Sequence, residues 1–131
     1  DLMVRLRQAK IDGIEVPDLQ VDDPTGDADL LVIGWGSTFG PITAGVRRVR
    51  KSGGKVAQAH LRHLAPMPRN TGEVLKRYRR VLVPEMNLGQ LALLLRGKYL
   101  VDAVGFNQVR GLPFTAPQME EVIEQMLQET R

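Results

Sequence analysis

A chain of 131 residues, 43% hydrophobic and 25% charged, is sized and mixed like one globular domain that buries its core without disulfides or metal. Its lack of cysteine excludes a disulfide framework, a Cys-ligated zinc or an iron–sulfur cluster held by this chain alone, and fits a reducing, cytoplasmic setting. The net charge of +3 is uneven: residues 47–80 hold eleven basic residues against one acid, Glu73, for +10, and the remainder carries −7.

The opening Asp1-Leu2-Met3-Val4-Arg5 has neither an initiator Met nor a signal-peptide layout. Residues 1–10 read as the end of a helix that belongs to an upstream element, stopped by Asp12-Gly13. Residues 14–28 contain Pro17, Pro24, Gly26 and four aspartates and read as an extended linker. The expected division is therefore 1–27 as linker and 28–131 as the packed domain.

Asp29-Leu30-Leu31-Val32-Ile33 is a continuous apolar strand, followed by Gly34, Gly36 and Gly40 and then a helix over about 39–52. Ile42, Gly45, Val46 and Val49 fall on one stripe of that helix, and Ser52-Gly53-Gly54 ends it. A second strand is expected from Lys55 to about Leu64. Asn70 and Glu73 resemble a capping box at the start of a short helix with Val74, Leu75 and Tyr78 facing inward. Arg80 to Pro84 gives a third strand. A helix through Arg96 is apolar nearly all round, which predicts burial. Residues 99–105 make a fourth strand. Thr115 and Gln118 form a second capping box, opening a helix whose Met119, Val122, Ile123, Met126 and Leu127 share one face. Strand and helix thus alternate, and continuous apolar strands indicate a mostly parallel sheet covered on both faces. No apolar run approaches the roughly 18 residues of a membrane span.

Several residues sit where such sheets meet ligands or partner domains, at the strand ends. Gly34, Gly36 and Gly40 are spaced one residue too long for the dinucleotide fingerprint, and the acid expected on a ribose is missing near Lys55. The glycine turn either captures an anion, with Ser37 and Thr38 as donors, or permits close packing with one of those hydroxyls as a cap. His60 and His63, three apart on a strand, should point to opposite faces, which argues against a shared metal. Arg62, at a strand end, is the better candidate for an anion. Glu85, Asn87, Gly89 and Gln90 cluster where the third strand gives way to a helix, either as a contact surface or as a cap made by Asn87 with Glu85 satisfying nearby amides. No nucleophile–base–acid set emerges, so no catalytic residue is assigned. The basic middle suggests an anionic partner or solvated helix faces.

Four motifs in order carry a resemblance: Asp29-Leu-Leu-Val-Ile-Gly-Trp-Gly-Ser-Thr-Phe-Gly40, Leu64-Ala-Pro-Met-Pro68, Val83-Pro-Glu-Met-Asn-Leu-Gly-Gln-Leu91 and Gly111-Leu-Pro-Phe114, with Arg7-Gln-Ala-Lys-Ile-Asp-Gly13 extending it. The sequence resembles the C-terminal part of the alpha subunit of 2-oxoacid:ferredoxin oxidoreductases, most of all the 2-oxoglutarate (2-ketoglutarate) type. The resemblance implies an α/β fold: a three-layer α/β/α, transketolase C-terminal-like domain with a mostly parallel five-stranded sheet. Residues 14–22 would supply the fifth strand. It implies a holoenzyme that oxidatively decarboxylates a 2-oxoacid, forms an acyl-coenzyme A and reduces ferredoxin, using thiamine diphosphate, magnesium and iron–sulfur clusters held elsewhere. No cofactor motif of that family falls in this segment. The expected partners are the remainder of the alpha subunit, a beta subunit and ferredoxin, with Gly34, Gly36, Ser37, Thr38, Arg62, Glu85, Asn87 and Gln90 facing an interface or ligand. The rivals are a pyruvate or branched-chain 2-oxoacid oxidoreductase domain, or a free-standing anion- or RNA-binding module. Aromatic content of 5% with no stacking motif argues against RNA.

Overall fold

A computed structural model describes residues 16–64, 66–85, 90–107 and 114–130. The elements are β1 (Val21–Asp22), β2 (Leu30–Trp35), a single 3-10 turn (Gly36–Thr38), α1 (Phe39–Lys51), β3 (Ala57–Leu61), α2 (Thr71–Lys76), β4 (Arg80–Glu85), α3 (Gln90–Tyr99), β5 (Ala103–Asn107) and α4 (Ala116–Thr130). They build one five-stranded sheet in the order β1-β3-β2-β4-β5. β2, β3, β4 and β5 run parallel, and β1 is antiparallel on the outer edge of β3.

Alternation along the strands feeds two cores. Leu31, Ile33, Ala57, Ala59, Leu61, Val81 and Val83 face Val74 and Leu75 of α2 and Leu91, Ala92 and Leu95 of α3. Leu30, Val32, Val56 and Leu82 face Ile42, Val46 and Val49 of α1 and Met119, Ile123 and Met126 of α4. These side chains are buried to within a few per cent, and each apolar one of Val or Leu size contributes roughly 1.5–3 kcal/mol. The result is the expected three-layer α/β/α arrangement, with the stripes of the first and last helices on their cores as periodicity requires. The Thr115 and Gln118 box forms in both directions, Thr115 N–H donating to Gln118 Oε1 and Gln118 N–H to Thr115 Oγ1.

Four local expectations need correction. β3 stops at Leu61, short of Leu64, and β5 begins at Ala103, because α3 continues to Tyr99. The linker segment supplies β1, as the five-stranded expectation required, and Leu19 beside it is buried in the core. Asn70 caps nothing with its side chain. Its amide instead accepts the Leu19 N–H at 2.7 Å and donates to the Leu19 carbonyl at 3.0 Å, standing in for a strand neighbour and fastening the edge segment. Finally, α3 is not buried all round: Leu91, Ala92 and Leu95 are covered, but Leu93 and Leu94 are exposed. An outer-layer helix meets the sheet on one side only, whatever its composition.

Candidate functional site

Because four strands run parallel, their carboxyl ends open on one rim of the sheet. The chain leaves β2 for β3 on one side and returns to β4 on the other, so the order reverses between β2 and β4. Crevices form outside the strand ends at such a reversal. Gly36 and Ser37 follow β2 directly, Arg62 follows β3, Glu85 ends β4 and Gln90 opens α3. The register of β2 on β3 sets Trp35 level with Leu61, so Gly36 and Arg62 emerge side by side.

Of the residues expected to face outward, Gly36, Ser37, Arg62 and Gln90 are exposed on this rim. Gly36 has a φ of +65°, a left-handed turn that favours glycine. Gly34 is different. It is buried, and a Cβ there would run into Ile42 Cδ1 and come to 2.7 Å from Thr38 Oγ1, so glycine is needed for close packing and not for a ligand. Thr38 is 4% exposed and its hydroxyl donates to the Trp35 carbonyl at 2.9 Å, so it neither caps α1 nor offers a donor. Glu85 is 2% exposed, and its two carboxylate oxygens accept the amides of Leu91 at 2.7 Å and Ala92 at 3.2 Å. It holds the first turn of α3 from the end of β4, a charge placed where the helix dipole stabilises it. Asn87 and Gly89, like residues 1–13 and Gly111 to Pro113 of the quoted motifs, lie outside the described residues.

Beside the rim lies a groove of about 610 Å³ between the N-terminal half of α1 and the β1 edge. Arg62, His60 and His63 line it, with Phe39 and Thr43 from α1 and Gln58 from β3. β3 ends before His63, so strand alternation does not govern where His63 points, although both histidines line this groove. The His60 ring meets Phe39 edge-on at 5.0 Å. Its Nδ1 is buried with no hydrogen-bond partner among the described residues, and burial together with the nearby Arg62 charge lowers the imidazole pKa below 6.5. The sequence reading missed Phe39, Thr43 and Gln58. Gln58 carries the one available signal, a glutamine flanked on both sides by alanine in a strand. It is 7% exposed and donates to Thr43 Oγ1 at 2.9 Å. Among the described residues no group of three His, Cys, Asp or Glu side chains is arranged to hold a metal.

The basic middle is largely answered from within. Arg48 pairs with Glu120, Arg50 with Asp22, Lys55 with Asp27, Arg77 with Glu73, Arg79 with Asp29, and Arg80 with both Asp102 and Glu129. Arg47, Lys51, Arg62, Arg69 and Lys76 are exposed and make no ion pair among the described residues.

The profile of the family described as pyruvate:ferredoxin oxidoreductase core domain II matches residues 28–104. The chain is 63% identical, over 97% of its length, to the 2-oxoglutarate oxidoreductase subunit KorA of Mycobacterium tuberculosis, of which it spans 19%. It is 44% identical over 49% of its length to the alpha subunit of 2-oxoacid:ferredoxin oxidoreductase 1 of Aeropyrum pernix, spanning 11% of that protein. Among solved structures, the 2-oxoglutarate:ferredoxin oxidoreductase of Magnetococcus marinus, bound to 2-oxoglutarate, coenzyme A and succinyl-CoA, superposes with a TM-score of 0.81 at 28% identity. That match covers 96% of this chain and 23% of the other. A split-gene transketolase, in an inactive beta4 tetramer, superposes with a TM-score of 0.63 at 15% identity, over 91% of this chain and 45% of its own, and shows the shared fold.

Proposed function

The chain belongs to the pyruvate:ferredoxin oxidoreductase core domain II family, and we propose that it is the C-terminal assembly domain of a thiamine-dependent 2-oxoglutarate:ferredoxin oxidoreductase alpha subunit. The holoenzyme would convert 2-oxoglutarate, coenzyme A and oxidised ferredoxin to succinyl-CoA, carbon dioxide and reduced ferredoxin. The observation that carries the reading is the 63% identity to a 2-oxoglutarate oxidoreductase subunit across 97% of this chain. That extent favours 2-oxoglutarate over the pyruvate and branched-chain alternatives.

The chain spans about a fifth of the length of that relative. It has no cysteine for a cluster, and among its described residues no three His, Asp or Glu side chains are grouped to hold a metal. Cysteine-ligated iron–sulfur clusters therefore fall to other parts of the holoenzyme, where we also place thiamine diphosphate and magnesium. The role left to this domain is to present the Gly36–Ser37 turn, Arg62 and the Asn87–Gln90 segment to the rest of the alpha subunit or the beta subunit. A buried scaffold that fixes such a rim positions catalytic groups carried by its neighbours. The exposed cations Arg47, Arg62 and Arg69 are the part of the basic middle that would meet acidic ferredoxin or coenzyme A.

The test is the assembled enzyme carrying Asn87→Ala and Gln90→Ala, assayed for subunit association and for ferredoxin reduction with 2-oxoglutarate and with pyruvate. Loss of association or of turnover is expected, with 2-oxoglutarate the preferred substrate of the wild type. Unchanged association and turnover would make the motif a helix cap only, and a preference for pyruvate would reassign the substrate.

A further inference from the structure

Three local rules are broken on one face of α3, and nothing among the described residues compensates. Leu93 and Leu94 are 67% and 46% exposed. Gly97, one turn later on the same stripe, is a glycine inside the helix where a Cβ would meet nothing within 4 Å. Leu100, just past the helix, is 87% exposed and held at a φ of +55°. Its amide donates to the Arg96 carbonyl at 3.0 Å, the bond of a left-handed helix stop, at a position that ordinarily takes glycine. A β-carbon in that conformation is strained, and an exposed leucine there gains nothing from the packing of this domain.

The opposite helical layer behaves differently. The outward residues of α1 and α4 include Arg47, Arg48, Lys51, Glu121, Glu124 and Gln128, a charged and solvated surface. The α3 side is apolar at its centre and basic at its margin, where Arg96 and Lys98 are exposed. A glycine between leucines lets a second backbone approach closely, so this face has the relief of an interface.

We propose that the Leu93, Leu94, Gly97 and Leu100 face is covered by another part of the alpha-subunit polypeptide, apolar where it meets the leucines and acidic where it meets Arg96 and Lys98. The inference rests on the alpha-subunit reading above. Length identifies the occupant: the chain spans 19% of its Mycobacterium relative and 23% of the Magnetococcus chain, so about four-fifths of such a subunit is available as a tethered neighbour. Tethering gives effective concentrations of about a millimolar, at which a small patch suffices, whereas free association needs on the order of 1,000 Å² of buried surface. The face also lies away from the Gly36 and Arg62 end of the rim, so one domain would offer two distinct contacts.

Hydroxyl-radical footprinting of the full-length alpha subunit, alone and with its beta subunit, tests this together with thermal unfolding. Leu93, Leu94 and Leu100 should oxidise at least fivefold more slowly in the alpha subunit alone than their exposure in this domain implies. The double variant Leu93→Glu, Leu94→Glu should restore fast oxidation of Leu100 and split one unfolding transition into two. Leu100→Gly relieves the strained backbone, so it keeps the domain folded, and it should also loosen the coupling between transitions. Fast oxidation in the wild-type alpha subunit overturns the proposal. So does protection that appears only with the beta subunit, or only as concentration rises, which would assign the face to that subunit or to a second copy. Ferredoxin reduction by the wild-type complex with 2-oxoglutarate is the separate readout: its absence overturns the functional reading, whatever the footprint shows.

Discussion

At Gly34 and at Glu85, two readings of one residue type are separated by what lies within a few ångströms. Gly34 and Gly36 are two apart in sequence, yet one is packed under Ile42 and Thr38 and the other turns the chain outward. Gly34→Ala should destabilise the domain by roughly 1–3 kcal/mol through overpacking, visible as a lower denaturant midpoint with an unchanged slope. An unaltered midpoint would show that Ile42 moves aside freely. His60 carries a pH signature. Its folded pKa lies below the ordinary 6.5, so the unfolded chain binds the proton more readily. Stability is then fully present above about pH 6.5 and is lost as pH falls through the window below it. His60→Gln should flatten the fall in melting temperature between about pH 7 and pH 5. An identical pH profile in wild type and variant would assign that slope to other groups. The sequence offered close packing at the glycine turn and amide capture by Glu85 only as one of two readings each, and it was silent on His60 burial. The deciding neighbours, such as Ile42 against Gly34 and Phe39 against His60, are set by the fold.

Among the elements, periodicity was informative where a helix has a polar side and silent where it does not. The stripe of Ile42, Gly45, Val46 and Val49 and that of Met119, Ile123 and Met126 are legible because charged residues fill the opposite faces, and both are buried as the spacing requires. α3 has no such contrast, so its composition pointed to full burial, and only the sheet decides that Leu91, Ala92 and Leu95 are the inner set. Glu85 fixes that choice by anchoring the helix start. Glu85→Ala would leave the Leu91 and Ala92 amides buried without their acceptor, a loss of about 1.5–3 kcal/mol for hydrogen bonds to a charged group. Hydrogen exchange at these two amides should accelerate well before the amides of β2 do. Equal protection in the variant would mean that α3 is held by its leucines alone. Asn70 teaches the converse: a sequence that fits a cap is used 51 residues away in the chain, because Leu19 at the sheet edge lacks a strand neighbour for its backbone.

For the whole molecule, the charge asymmetry visible in the sequence is real but mostly spent internally. Layering and the alternation of strands and helices were legible from apolar segments, and a fifth strand within 14–22 from the family resemblance, but its antiparallel place on the edge of β3 was not. The strand neighbours of each cation were not, since those pairs join residues brought together only by the sheet and the α1–α4 contact. Five of the basic residues in 47–80 reach acids outside that stretch, as Arg50 does with Asp22 at 2.8 Å and Arg80 with Asp102 at 3.1 Å. Exposed pairs of this kind are worth roughly 0.2–1 kcal/mol each and weaken with salt. The triple variant Arg77→Gln, Arg79→Gln, Arg80→Gln should therefore lower the melting temperature by a few degrees at low salt, with the deficit shrinking as salt rises. It should leave the ionic-strength dependence of ferredoxin reduction in the assembled enzyme nearly unaltered, because these guanidinium groups already have partners. Arg47→Gln, Arg62→Gln and Arg69→Gln together should do the reverse, sparing stability while flattening the salt dependence of ferredoxin binding. If the first triple variant flattens it instead, the internal pairs open when ferredoxin arrives. If neither does, the net positive middle is the far side of a scaffold whose partners approach from its glycine-lined rim.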